Sequence, residues 1–359
     1  MTQYIVRRIL LAIPVIFGIL VVTFSLSRMI PGGPCRAILG EKATQAVCDR
    51  FIHEYGFDRP IYVQFASYMV DVFKGNFGES IRYSRPVALI LIERLPMTIE
   101  LGTFATILAT LIGIPAGIIS AIRRNSAVDV ITMVFANMGV SMPVFWLGLM
   151  LAYVFALLLK GTPLWLPPSG RISAGLSLTP FYETYGWVVE PESLNFYVLE
   201  FIANHYVLNS LLTANWVVLK DTLTHMILPT MALSTIPMAV IARMTRSSML
   251  EVLGQDYIRT ARAKGLRERL VILKHALRNA LLPIVTIIGI ELGVIYSGAV
   301  LTETIFGLAG VGRMLYEAIT ARDYPIVQAF TVVIAAGYVT LNLLVDITYG
   351  FIDPRIKCE

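Results

Sequence analysis

Leu101-Gly-Thr-Phe-Ala-Thr-Ile-Leu-Ala-Thr-Leu-Ile-Gly-Ile-Pro-Ala-Gly-Ile-Ile-Ser-Ala-Ile122 carries no charge along its whole length and is closed by Arg123-Arg124. A bilayer core takes about 20 apolar residues of helix, so this stretch reads as a membrane span. Working outward, five more stretches qualify: 9–29, 130–159, 226–242 (continuing toward 250), 281–301 and 326–345. The whole chain agrees: of 359 residues 56% are hydrophobic and 15% charged, against roughly 25% charged in soluble domains. The net charge of +5 could suggest nucleic acid. Membrane proteins collect Lys and Arg on cytoplasmic loops, which explains the basic balance without it. The expected fold is therefore an all-α integral membrane protein with six transmembrane helices.

An even number of spans puts both termini on one side, and charge bias chooses which. Nine Lys/Arg and three acids lie between Arg243 and Arg278; Arg7-Arg8 precede the first span and Arg123-Arg124 follow the second. Residues 31–100 carry eight basic and eight acidic residues, and 160–225 carry three against five. The positive-inside rule then places both termini in the cytoplasm. The first span runs into Arg28 and Pro31 without a small-residue cleavage site, so it reads as retained. The third is too long for an upright helix, and Pro143 predicts a kink or tilt.

These boundaries predict an N-terminal helix (1–30), an external amphipathic segment (31–100) and a helix pair (101–159). A second external insert (160–225), a core (226–350) with a cytoplasmic loop at 251–280, and a short tail (351–359) complete the chain. Phe65, Tyr68, Met69, Val72 and Phe73 recur at helical spacing in the first external segment. In the second, 196–219 is apolar but broken by Glu200, Asn204, His205, Asn209 and Asn215, which predicts a surface helix rather than a seventh span. Cys35 and Cys48 either form a bridge closing a short loop or stay two small unpaired residues; spacing alone does not decide. His53, His205, His225 and His275 are scattered, so no metal site is expected. No Gly-x-x-x-x-Gly-Lys-Ser/Thr occurs, and no ATPase is expected in the chain.

The cytoplasmic loop holds Asp256-Tyr-Ile-Arg-Thr-Ala-Arg-Ala-Lys-Gly265-Leu266. Helix formers lead to Gly265, a suitable stop. Tyr257, Ala261 and Lys264 share a face with Ile258 beside them, and Ala261 and Ala263 allow close approach. This suits docking into a partner's groove; a basic loop that only fixes topology is the alternative.

This stretch resembles the cytoplasmic coupling loop of bacterial ATP-binding-cassette importer permeases, with Arg259 and Thr260 standing where the general pattern has other residues. His275-Ala-Leu-Arg-Asn-Ala-Leu-Leu-Pro283 resembles the dipeptide/oligopeptide branch, closest to its "B"-type dipeptide subunits. So do Ile30-Pro-Gly-Gly-Pro34, Ser141-Met-Pro-Val-Phe-Trp146, Arg243-Met-Thr-Arg-Ser-Ser-Met-Leu-Glu-Val-Leu253, Leu301-Thr-Glu-Thr-Ile-Phe306, Arg322-Asp-Tyr-Pro325 and Asp353-Pro-Arg-Ile-Lys357. The resemblance implies a type I-like importer permease in the bacterial inner membrane. Its implied partners are a second permease, two ATPase subunits that bind the ATP and Mg, and an extracytoplasmic peptide-binding protein. It implies Tyr257, Ile258, Ala261 and Ala263 as an apolar docking face, Arg259, Arg262 and Lys264 as ionic contacts, Asp256 and Thr260 within the coupling motif, and Gly265 as the turn.

Glu291 lies mid-span, where an acid costs a few kcal/mol unless it faces water or a partner. It either lines a conduit and attracts a peptide's amino end or makes a structural pairing. Glu303 and Arg322-Asp323 sit at outer helix ends, as contacts for a delivering protein or as solvated charges. Gly113 and Gly117 read as helix packing, and the polar Asn137 as a tie between spans. Other cargoes (glutathione, nickel chelates, a cationic antimicrobial peptide) fit the same architecture. An ion-gradient-driven secondary transporter is the rival class, and it predicts an internal repeat that is not evident. A membrane receptor would need an effector domain beyond the short tail.

Overall fold

The computed structural model describes residues 2–29, 35, 43–54, 56–191 and 193–352. Ile30-Pro-Gly-Gly-Pro34, Asp353–Lys357 and Cys358 lie outside the described residues. Those that are described form helices and connecting loops, with one isolated antiparallel bridge between Glu79 and Pro86. In order the helices are α1 (Thr2–Met29), α2 (Gln45–Glu54), α3 (Ile61–Phe73), α4 (Val87–Ile122), α5 (Ala127–Ser141) and α6 (Val144–Ala152). Then come α7 (Leu194–Ala203), α8 (Tyr206–Leu212), α9 (Trp216–Leu253), α10 (Asp256–Ala263) and α11 (Leu277–Gly298). The last are α12 (Val300–Ile305), α13 (Val311–Ala321) and α14 (Tyr324–Ile352).

Among the described residues, four helices are long and apolar enough to cross a membrane: Val87–Ile122, Trp216–Leu253, Glu268–Tyr296 and Tyr324–Val345. The pair α5 and α6, extended by the wide turns of Tyr153–Leu158, makes a fifth if it is one broken span. The first helix adds the shorter apolar stretch Ile9–Ser25. The third apolar stretch departs from the expected kink, because its two halves meet at 99°. Met142 is extended (φ −86, ψ 129) ahead of Pro143, the conformation a following proline imposes, and α6 starts afresh beyond it. The fourth helix also differs, beginning at Trp216 rather than near 226.

The centre of the bundle is α4 against α9, which run parallel. Gly113 and Gly117 set their separation: a Cβ at Gly113 would lie 2.8 Å from the Met238 carbonyl, and one at Gly117 2.6 Å from that of Ala242. The small-residue spacing is thus a packing device. Met97, Leu101 and Ala105 of α4 meet Leu228, Ala232 and Leu233 of α9 and Ile295 of α11 in the main core. At 36 and 38 residues, α4 and α9 extend ~54 and ~57 Å at 1.5 Å per residue. Both overrun a bilayer core, and their first turns project together on one side, where the insert between α6 and α9 packs.

That insert is two short helices, α7 and α8, and a single helical turn at Phe181–Thr184, where one helix over 196–219 is expected, and Trp216–Leu219 belong to α9 instead. Its anchor is Glu100 of α4, a carboxylate that bonds Arg171 at 2.6 Å and the Val207 N–H at 2.9 Å. Arg171 also donates to the Asn204 carbonyl and lies 3.6 Å from the centre of the Tyr206 ring. The segment between α1 and α4 folds back over α1: Phe65 of α3 packs edge-on to Phe17 and Phe24, the helical spacing read from the sequence. Cys35 and Cys48 are joined by a disulfide.

Candidate functional site

The loop between α9 and α11 builds a short helix on the end of the bundle opposite the inserts. Gln255 is extended (ψ 150) and Asp256 opens α10 in its first turn, where an acid complements the helix dipole. Gly265 closes it at φ +73, a left-handed position that glycine adopts without steric cost. The turn is tied by the Gly265 N–H on the Arg262 carbonyl and the Leu266 N–H on that of Ala261.

The two faces of α10 have different duties. Ile258 is fully buried and Ala261 nearly so, in a cluster with Ala121 of α4, Met249 of α9, and Val271, Ala276, Ala280 and Ile284 at the start of the α11 segment. Ile258 and Ala261, expected within the docking face, instead form a keel inserted into the chain's own core. The reason is spacing, since residues three apart lie together on a helix and this pair is the most apolar that α10 offers. Outward face Asp256, Tyr257, Arg259, Thr260, Arg262, Ala263, Lys264 and Gly265. Tyr257 is 43% exposed, and its hydroxyl accepts from Asn279 at 2.9 Å.

Arg262 forms a two-pronged pair with Glu268, at 2.6 and 3.2 Å, which raises the Arg262 guanidinium above its ordinary value, chiefly through those hydrogen bonds. It ties the outgoing turn of α10 to the next segment. Both groups are about half exposed, so the pair orders the loop more than it stabilises the fold. Arg259 and Asp256 are looser, 3.5 Å apart and almost fully exposed. Next comes a segment with wide π-type turns, Val271–Ala276. Such turns are uncommon and recur at functional positions.

A buried ionic cluster that sequence reading missed lies one layer deeper. Arg246 of α9 makes two 2.8 Å bonds to the Asp129 carboxylate, which also takes the Ser120 hydroxyl and the Asn125 N–H. Ser126 caps α5 by accepting from the Asp129 N–H. Asp129 is 4% exposed, so this one carboxylate locks the ends of α4, α5 and α9 together. The available signal was Ser126-Ala-Val-Asp129, a capping serine followed three residues later by an acid.

Glu291 sits on α11, away from α10, half-buried and without a hydrogen bond among the described residues. The charge that reaches it is Arg243 of α9. Arg243 donates to Asn137 of α5 at 2.9 Å. At the other end of the bundle, Glu303 and Asp323 depart from the expected solvated charges. Glu303 is fully buried: it accepts from the Thr98 hydroxyl at 2.6 Å and the Arg313 N–H at 2.8 Å, filling the space that a side chain at Gly310 would need. It caps α13, while Thr98 accepts from the Val311 N–H at 2.9 Å. Asp323, 1% exposed, accepts from the Ser80 hydroxyl and the Arg82 N–H at 2.6 and 3.1 Å. Arg322 beside it is left-handed at φ +56.

Residues 113–357 match the family of binding-protein-dependent transport system inner membrane components, and residues 1–102 match that family's N-terminal region. The dipeptide transport system permease protein DppB of Alkalihalophilus pseudofirmus is 45% identical over 99% of this chain and 100% of its own length. DppB of Escherichia coli K12 is 42% identical over 99% of both chains. The oligopeptide transport system permease protein AppB of Bacillus subtilis is 37% identical over 99% of this chain and 100% of its own. The chain thus belongs to the family of binding-protein-dependent transport system inner membrane components.

Proposed function

We propose that this chain is the membrane-spanning permease subunit of an ATP-driven importer of dipeptides and short oligopeptides. The observation that carries the reading is full-length correspondence, at 45% and 42% identity, with permeases named for dipeptide transport. The chain is not itself an enzyme: ATP and Mg belong to two partner ATPase subunits. A second permease completes the path, and an extracytoplasmic binding protein delivers the peptide. The subunit lies in the bacterial inner membrane with six spans, α1 and the broken α5–α6 pair included, and both termini cytoplasmic.

The mechanism follows from the shape of α10. Its outer face, Tyr257, Arg259, Thr260, Ala263 and Lys264, is the surface on which an ATPase subunit docks, with Asp256, Arg262 and Gly265 holding the helix and its turn. Its keel, Ile258 and Ala261, is packed against α4, α9 and the start of α11. A push on α10 is therefore passed to three spans as one packed unit, because close-packed interiors transmit displacement rather than absorb it. ATP binding in the partners biases this element between two arrangements. Glu291 faces the path. A second cargo reading, longer oligopeptides, rests on the 37% identity to a permease named for them.

Reconstitution tests the reading. The chain, its companion permease, the ATPases and the binding protein in liposomes should accumulate labelled dialanine only with ATP. Accumulation by the chain alone on a proton or sodium gradient would replace the importer with a secondary transporter.

A further inference from the structure

Arg243 and Glu291 are opposite charges on two helices that pack against each other, and they are not paired. Among the described residues, Arg243 has one side-chain partner, Asn137, and no carboxylate in contact; Glu291 has no hydrogen bond. Arg243 and Asn137 are exposed on the chain's own surface and Glu291 is partly so. Charged groups on membrane-spanning helices rarely face lipid, since each costs several kcal/mol there, and they mark water-filled paths or paired surfaces. Nearby, Arg246 of α9 and Asp129 of α5 hold each other, so neither serves as the counter-charge of Glu291 or Arg243.

The helix register gives the spacing. Gly102 of α4 abuts Ile295 and Tyr296, Ala105 shares a cluster with Ala232, and Gly117 abuts Ala242 and Thr245. Glu291 thus stands near the level of Thr106, and Arg243 near that of Ala116. Ten residues at ~1.5 Å rise separate their backbones by roughly 15 Å along the bundle. Two long side chains bridge part of that distance, yet no ion pair closes it. An extended dipeptide places its ammonium and carboxylate at most ~7 Å apart, at about 3.5 Å per residue. Its zwitterion matches the sign and order of the gap.

We propose that Glu291 and Arg243, the latter held by Asn137, form a transient site for the two ends of a short zwitterionic peptide, the ammonium at Glu291 and the carboxylate at Arg243. This rests on the transport reading and specifies how the path would recognise its cargo: by backbone ends, whatever the side chains. It also orders the passage, because Arg243 is the residue nearer α10. A carboxylate fork suits arginine's planar donors.

The test is equilibrium binding of labelled dialanine, and of N-acetyl-dialanine amide, to the purified permease pair with its ATPases and without the binding protein. It is run with wild type, Glu291→Gln, Arg243→Gln and the milder Arg243→Lys. The expected result is dialanine binding weakened at least tenfold in Glu291→Gln and in Arg243→Gln, less in Arg243→Lys. The capped peptide should bind weakly and equally throughout. Equal dialanine affinity in all four overturns the inference. So does dissociation of the permease pair in Glu291→Gln or Arg243→Gln, which would make these charges an assembly contact. Absence of dialanine binding to the wild-type complex also overturns it; if that complex still takes up dialanine when the binding protein is added, the transport reading stands alone.

Discussion

The two ends of the bundle use charge in opposite ways. At the insert end, Glu100, Glu303 and Asp323 are buried and spent on structure: each accepts backbone N–H groups and a side-chain donor, pinning α8, α13 and the segment before α4. At the α10 end, most charges stand in solvent on a small helix whose apolar side is sunk into the core, with one buried pair, Asp129–Arg246, behind it. The contrast separates a clasp from a lever. Buried carboxylates that satisfy backbone donors hold loops in one arrangement, since leaving those donors unmet in an apolar setting is costly. A helix with a buried keel and an open polar face offers a surface to push on and a stiff connection to what lies beneath.

The sharpest way to break this contrast is at the buried pair behind the lever. Arg246→Ala strands Asp129 and should cost about 3–5 kcal/mol, read as a large fall in thermal unfolding temperature of the detergent-solubilised chain. Asp129→Asn combined with Arg246→Gln should recover much of it, because no unpaired charge remains; a double variant as unstable as Arg246→Ala would show that shape rather than charge is at stake. Ile258→Ala empties the keel and should cost about 2–4 kcal/mol, with transport lost out of proportion to stability. If Ile258→Ala lowers neither, the keel is not what connects α10 to the spans.

At the clasp, Glu303→Ala leaves the Arg313 N–H and the Thr98 hydroxyl without their acceptor and should cost about 1–3 kcal/mol. Hydrogen exchange is expected to rise in α13 and stay unchanged in α10. Exchange rising equally at both ends would merge the two regions into one unit. The smallest stability effect belongs to the outer face: Arg259→Glu with Lys264→Glu should stay within ~0.5 kcal/mol of wild type while ATP-driven uptake falls to background.

Much of this was legible in the sequence, for reasons that mark the limit of such reading. Spans show because uncharged runs are a local property, and the α3 face shows because Phe65 and Tyr68 repeat at helical spacing. The α10 segment shows through its glycine stop and its resemblance to a coupling loop. What was missed depends on partners far along the chain. Thr98 and Glu303 are 205 residues apart and Ser80 and Asp323 243 apart, so nothing near either acid announces its burial. Ile258 and Ala261 are expected on the docking face and pack inward in the structure, since a short amphipathic helix does not declare whether its apolar face meets its own chain or another. The near-right-angle break at Met142 was understated because a proline signals a departure from the helix but not its angle.

The central claim, that α10 carries a partner-facing outer side on a keel belonging to this chain, is tested most directly by co-purification. Tagged wild type, Arg259→Glu with Ala263→Glu, and Ile258→Val would be isolated from native membranes and their associated subunits identified. The account predicts that the outer-face variant keeps the companion permease and wild-type thermal stability but loses the ATPase subunit that docks on α10, while Ile258→Val keeps both ATPases. ATPases retained by the outer-face variant and released by Ile258→Val would contradict it, placing the docking surface on the side that is buried here.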